Sequence, residues 1–168
     1  MSIDRSIEPW MRGPLPGIEP LVQPVFHSFQ MAREDLEKHT AGLTQHELWH
    51  GLNKVASVGF QLRHIAGSVD RLTTYLMNES LTDEHLAALQ TEATPGATLG
   101  ELLGGVDRAL AASEAHLITI VPSQMHEPRF IGRKRLPTTV LGLLVHIAEH
   151  TQRHVGQAIT TAKFVRTL

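Results

Sequence analysis

The sequence contains no cysteine among its 168 residues, and this absence excludes several classes of site. A chain without thiols has no disulfide framework, no thiolate-bound zinc and no cysteine nucleophile. A reaction that requires a sulfur nucleophile therefore has to obtain the sulfur from another molecule.

Long apolar runs and a strong charge of one sign are also missing. No apolar stretch approaches the roughly 18–20 residues that cross a bilayer, and the N-terminus lacks the pattern of a signal peptide. The net charge of −2 provides no basic field for nucleic acid. We therefore expect a cytoplasmic protein of one globular domain that binds a small-molecule substrate, with no nucleic-acid or membrane partner.

Histidine, by contrast, is abundant, and 11 histidines make chance pairs common. His146, His150 and His154 recur every four residues near the C-terminus. On an α-helix, two neighbours of this series can reach one ion, whereas His146 and His154 are about 12 Å apart along the axis. His150 and His154 are nearer the apolar arc, so they are the predicted ligand pair, and His146 is expected to lie behind the ligands or at the surface.

A third metal ligand has to come from another helix, and His64 is the candidate. It belongs to a polar strip beside the apolar face of the second long helical segment, and we expect this strip to line a pocket. The strip consists of Ser57, Gln61, His64, Ser68, Arg71 and Tyr75. The alternative is that His64 binds a backbone carbonyl at the edge of the core.

Three neutral imidazoles suit zinc, nickel, copper or iron and leave coordination positions open for water or substrate. Because imidazole must be neutral to coordinate, metal affinity should fall as the pH drops through about 6.5.

The apolar periodicity predicts an all-α fold. A Pro- and Gly-rich arm over residues 1–20 precedes a single domain over residues 21–168. Four long helices are predicted at about 21–40, 56–77, 98–122 and 138–165, with short helices at 44–49 and 83–90. No strand pairing is expected. The long connections favour a four-helix bundle whose order need not be up-down-up-down.

A second histidine pair, His46 and His50 with Glu47 between them, matches the HExxH pattern of zinc metalloproteases. However, Thr44 and Glu47 also form a capping box, and Gly51 ends the helix directly after His50. The protease interpretation is therefore the less favoured one.

A basic group lies in the loop before the last helix. A solvated loop is the favoured interpretation. The alternative is that the loop folds over the mouth of the bundle, where this group would attract an anionic substrate or a thiol cofactor. It consists of Arg129, Arg133, Lys134 and Arg135.

Four stretches resemble the DinB-like, or YfiT-like, metalloenzyme superfamily. They are Trp10-Met-Arg-Gly-Pro-Leu-Pro-Gly17, Gly42-Leu-Thr-Gln-His-Glu-Leu-Trp49, Val58-Gly-Phe-Gln-Leu-Arg-His64-Ile-Ala-Gly-Ser-Val-Asp-Arg71 and Glu149-His150-Thr-Gln-Arg-His154-Val-Gly-Gln157. The last two are the more specific.

The resemblance implies a four-helix bundle, often a homodimer, in which His64, His150 and His154 bind a divalent metal, zinc or nickel first. It adds Gln157 to the expected pocket residues. Relatives include transferases that use a low-molecular-weight thiol, so a thiol-dependent S-transferase is the first functional expectation. A hydrolase that activates water is its variant, and a non-catalytic metal- or ligand-binding module is the alternative.

Overall fold

The computed structural model describes residues 6–52 and 54–168, and in this part of the chain long helices dominate. The α-helices are α1 (Gln23–Thr40), α2 (Gln45–Trp49), α3 (Val58–Leu76), α4 (Asp83–Thr91), α5 (Leu99–Leu117) and α6 (Val140–Val165), and the strands are β1 (Pro128–Ile131) and β2 (Leu136–Thr139). Among the described helices, none is both long and apolar enough to cross a membrane.

The four long helices form a bundle whose spatial order differs from the order in the sequence. Helix α1 packs against α6, α6 against α3, and α3 against α5, and a smaller contact between α5 and α1 closes the ring. Helices α1 and α3 therefore lie across the bundle from each other, as do α5 and α6. The predicted four-helix bundle with long connections is confirmed. The connections from α1 to α3 and from α5 to α6 span its diagonals, and the connection from α3 to α5 joins neighbours.

All four long helices contribute to one apolar core. Their fully buried side chains include Phe29 of α1, Leu62 and Ile65 of α3, Leu110 of α5 and Ile147 of α6. Each recurs at helical spacing with other buried residues, which is why the predicted periodicity located these helices well.

Side-chain caps fix where the helices begin. The predicted capping boxes are confirmed: Thr44 accepts from the backbone N–H of Glu47, and Thr98 accepts from that of Glu101. At the start of α6, the hydroxyl of Thr139 accepts from the N–H of Gly142 at 3.1 Å and supplies the N-cap.

The expectation that no strands pair is wrong. Strands β1 and β2 form an antiparallel hairpin in which Pro128 faces Thr139. Each strand has only four residues and contains a proline, so the alternating pattern that reveals a strand is missing. Gly132 (φ 67°) and Arg135 (φ 49°) supply the left-handed backbone of the turn.

The described part of the N-terminal arm contains a 3-10 turn at Pro9–Met11 and no α-helix before α1. Arg12 pairs with Glu34 of α1 at 2.6 Å, and the turn packs against the same helix.

Candidate metal centre

Three histidines from two helices meet at the edge of the core. His64 lies on α3, His150 and His154 lie on α6, and one possible ligand atom of each is within 4.8 Å of the others. The ring centroids of His64 and His154 are 4.3 Å apart, and those of His150 and His154 are 4.5 Å apart. Within the described residues this is the one group of three ligand-type side chains with a spacing that suits a metal ion.

Each of the three histidines is followed in the sequence by a buried residue, and this places the histidine at the edge of the buried face of its helix. Ile65, Thr151 and Val155 are each at most 1% exposed. Successive residues on a helix are rotated by about 100°, so each histidine lies beside the buried face and is itself half-buried. The packing of α3 against α6 then brings the two edges together.

Glu92 orients His64. The Nδ1 atom of His64 lies 2.7 Å from Oε2 of Glu92, and the other carboxylate oxygen accepts from Nη2 of Arg71 at 2.8 Å. Burial alone would raise the pKa of Glu92, but hydrogen bonds from His64 and Arg71 outweigh this effect and lower it. The ionised carboxylate can only accept, so Nδ1 donates and the lone pair of Nε2 stays free for a cation.

A glycine leaves the space that this arrangement requires. A Cβ atom built on Gly67 would lie 2.7 Å from Nη1 of Arg71 and 2.9 Å from Oε1 of Glu92. The ion pair therefore packs directly on the backbone of α3, one turn after His64.

Gln61 orients His154 in the same way. Its Oε1 atom lies 2.7 Å from Nδ1 of His154, so this ring also donates through Nδ1 and keeps the Nε2 lone pair free. Gln61 is only 2% exposed. The prediction that Gln61 belongs to the site agrees with this contact.

His150 has no such partner. Its Nδ1 atom is buried and forms no hydrogen bond with the described residues. A buried polar atom without a partner is costly. Coordination to a cation satisfies an imidazole without any hydrogen bond to the protein, so this orphaned ring fits the role of a ligand.

The electrostatics keep two of the rings neutral. Burial, followed by repulsion from His64 and the neighbouring histidine, lowers the pKa of both His150 and His154 from 6.5 to about 4. Neutral imidazole is the form that binds metals. The loss of affinity predicted near pH 6.5 from the sequence therefore moves to lower pH for these two residues.

His146 lies outside the cluster. Its side chain is 42% exposed, and its Nδ1 atom is 2.6 Å from Oε1 of Glu149. The ring still approaches His150, with the two centroids 5.2 Å apart. This is the outer position that the helical spacing predicts.

Three residues of the predicted polar strip have contacts other than the three histidines. Ser57 caps α3 by accepting from Phe60 N–H at 3.2 Å, and Ser68 donates to the carbonyl of Ile65 at 3.1 Å. Tyr75 lines a separate cavity near the hairpin. Because eleven residues of helix span about 16 Å, a strip that includes both His64 and Tyr75 is too long for one site.

Gln157 lines a cleft beside the centre, together with Gln61. Arg71 reaches the histidines only through Glu92.

Two residues of the site were not predicted from the sequence. Glu92 was missed because no pattern in the sequence links the end of α4 to α3. The other is Phe60, whose ring stacks on His64 with the centroids 5.4 Å apart.

The HExxH segment has a structural role. Helix α2 has five residues, and the Glu47 carboxylate accepts from the backbone N–H of Thr44 at 2.7 Å. Among the described residues, His46 and His50 belong to no group of three ligand-type side chains. The structure thus gives the protease interpretation no third ligand.

The basic group does not cover the metal centre. Arg129 is buried and donates to the carbonyl of Leu76 at 2.6 Å. Arg133 and Arg135 line the cavity that contains Tyr75, and Lys134 is exposed. The alternative in which this loop folds over the mouth of the site is therefore not observed among the described residues.

The lowered pKa values predict how the stability of the metal-free protein depends on pH. Between pH 6.5 and about 4, the unfolded chain binds protons at His150 and His154 that the folded chain does not bind. Acid in this interval therefore favours unfolding, and stability rises with pH. As the pH is lowered through this interval, we expect the melting temperature to fall more steeply in the wild type than in a His150→Gln/His154→Gln variant. Circular dichroism with a chelator present measures it. Equal slopes would contradict the assigned shifts.

Two solved structures are similar to this chain. A conserved protein from Enterococcus faecalis matches with a TM-score of 0.72 and 18% identity, over 88% of this chain and 98% of its own. YfiT from Bacillus subtilis, described as a probable metal-dependent hydrolase with an unusual four-helix bundle topology, matches with a TM-score of 0.66 and 14% identity, over 90% and 91%. At these identities the likeness shows the fold alone.

No curated protein matches the chain. The family model of the DinB superfamily matches residues 28–158, a span that contains most of α1, all of α3 and α5, and the three histidines. The resemblance found in the sequence is thus confirmed, and the chain belongs to the DinB superfamily.

Proposed function

We propose that this protein is a divalent-metal-dependent enzyme that activates an external nucleophile at His64, His150 and His154. The observation that carries the proposal is the convergence of three imidazoles, two of them held neutral, with ligand atoms within 4.8 Å of one another. The hydrogen bonds to Glu92 and Gln61 support it, because metal-binding histidines usually donate their other ring nitrogen to such partners.

The donor set suits zinc or nickel, and a site with three protein ligands keeps a position open. A bound divalent ion supplies Lewis acidity, which lowers the pKa of a coordinated thiol or water. The chain's own residues hold the ligand set in place: Glu92 fixes the His64 ring, Gln61 fixes the His154 ring, and burial keeps protons off His150 and His154.

We propose thiol S-transfer as the first reaction. The chain has no cysteine, so a sulfur nucleophile would come from a low-molecular-weight thiol. The thiol would lose its proton to solvent, and its sulfur would form a bond to a carbon atom of the electrophile while the bond from that carbon to a leaving group breaks and the leaving group keeps the electron pair. Hydrolysis is the second candidate, and the description of the similar YfiT structure as a probable metal-dependent hydrolase favours it. A bundle that binds metal without turnover is the remaining alternative.

The metal ligands can be tested one at a time. We expect protein purified without a histidine tag to bind one zinc or nickel ion per chain, and alanine at position 64, 150 or 154 to remove it while the helical circular dichroism persists. His146→Ala and the double variant His46→Ala/His50→Ala are the controls, which should keep the ion. Measurement by plasma mass spectrometry gives metal per chain. A His64→Ala protein that still binds one metal ion per chain would show that His64 is not the third ligand.

Glu92 offers a separate test of the supporting contacts. Glu92→Gln keeps the side-chain volume but removes the negative charge that accepts from His64. We expect metal affinity to fall by about tenfold or more, as for other outer partners of metal-bound histidine. Competition with a chelating dye measures it. Glu101→Gln, at an exposed helix cap outside the cluster, is the matched control, and an equal loss in both variants would argue against a specific role for Glu92.

The reaction itself can be tested with a panel of nucleophiles. The metal-loaded protein is incubated with small biological thiols and a reactive electrophile, and in parallel with ester and amide probes. We expect conjugate to form above the metal-free background and the acceleration to disappear in His150→Ala. Ester or amide cleavage without conjugation would favour the hydrolase, and a metal-loaded protein that accelerates neither reaction would favour the binding module.

A further inference from the structure

A cleft of about 510 Å³ lies beside two of the three histidines, between the first turns of α3 and the second half of α6. It contacts the metal centre through two of its lining residues. The Phe60 ring lies nearly parallel to the ring of His64, with an interplanar angle of 11°. Gln61 accepts the hydrogen bond from His154. The volume is in the range of small-molecule sites.

The body of the cleft is apolar and open. Val55, Ala56 and Phe60 supply carbon surface on one side. On the α6 side lies Gly156, two residues after His154, and a Cβ atom built there meets nothing within 4 Å. The glycine thus leaves free space in the cleft, which a larger side chain would occupy.

The polar groups of the cleft include donors that are free to bind a ligand. The carbonyl of Gln61 is occupied by His154, and its NH2 group forms no hydrogen bond with a described residue. The amide of Gln157 also has no partner among the described residues. Lys54 is the one ionisable side chain among the described residues that line the cleft, and it forms no ion pair with them. A matching ligand therefore offers oxygen acceptors and at most one negative charge.

We propose that this cleft binds a small monocarboxylate with an apolar body. The carboxylate pairs with Lys54, the apolar body packs against Phe60 and Val55, and further oxygen atoms accept from the glutamine amides. The binding itself does not require the metal.

Binding to the metal-free protein tests the cleft directly. The probe is phenylbutyrate, with the uncharged phenylbutanol as its matched comparison, and the affinity is measured by isothermal titration calorimetry. Gly156→Leu fills the cleft, and Gly100→Leu is its control, because Gly100 is also an exposed helical glycine with nothing within 4 Å of its Cβ position. We expect Gly156→Leu to weaken binding by about tenfold or more through steric overlap, and Gly100→Leu to leave it unchanged.

A second variant tests the charge. Lys54→Gln should weaken the binding of phenylbutyrate by about threefold, the scale of an exposed ion pair, and should leave phenylbutanol unaffected. Lys163→Gln, an exposed lysine of α6 outside the cleft, is the control. If wild-type protein does not bind phenylbutyrate, or if Gly156→Leu binds it as tightly as Gly100→Leu, the proposal is overturned.

The metal content of the same preparations separates this inference from the proposed function. If the protein binds phenylbutyrate in the cleft but no divalent metal, the proposed binding site is supported and the proposed metalloenzyme function is contradicted. Protein that binds metal at the three histidines but no phenylbutyrate retains the metal centre and loses this ligand site.

Discussion

The packing of α3 against α6 is the constraint on which the candidate centre depends. These helices are not neighbours in the sequence, and His64 is separated from His150 by the whole of α4, α5 and the hairpin. Their apolar faces meet in the core, where Leu62, Ile65 and Ile147 are fully buried. Because the histidines flank these faces, the packing that excludes water from the core also sets the distance between the imidazoles.

A buried ion pair at this place is better explained by positioning than by stability. Glu92 and Arg71 are 5% and 8% exposed, and the desolvation of two charges offsets much of their attraction. One oxygen of Glu92 is nevertheless directed at Nδ1 of His64. Arg71 thus stabilises the ionised carboxylate, and the carboxylate fixes which nitrogen of His64 keeps a free lone pair.

The sequence predicts most of this arrangement wherever the signal is local. The spacing of His150 and His154 identified the pair on α6, and the capping box at Thr44 indicated a structural role for the HExxH segment. Glu92 could not be found in this way, because its partners lie 21 and 28 residues earlier and no period connects them. Tyr75 was predicted to line the pocket because it shares the angular position of His64 on the helix. This prediction failed because angular position carries no information about distance along the helix axis.

Some parts of the site are fixed by the core, and other parts can vary. The three histidines and Gln61 lie on long helices, whose geometry is set by the core, so small changes in loop sequence leave the centre intact. Lys54 and Val55 lie outside the helices, in the connection between α2 and α3. Substitutions there alter the cleft without affecting the core. A bundle of this kind can therefore keep one metal-binding geometry while the chemistry of its ligands changes, which is the physical reason that membership of the superfamily alone does not identify a substrate.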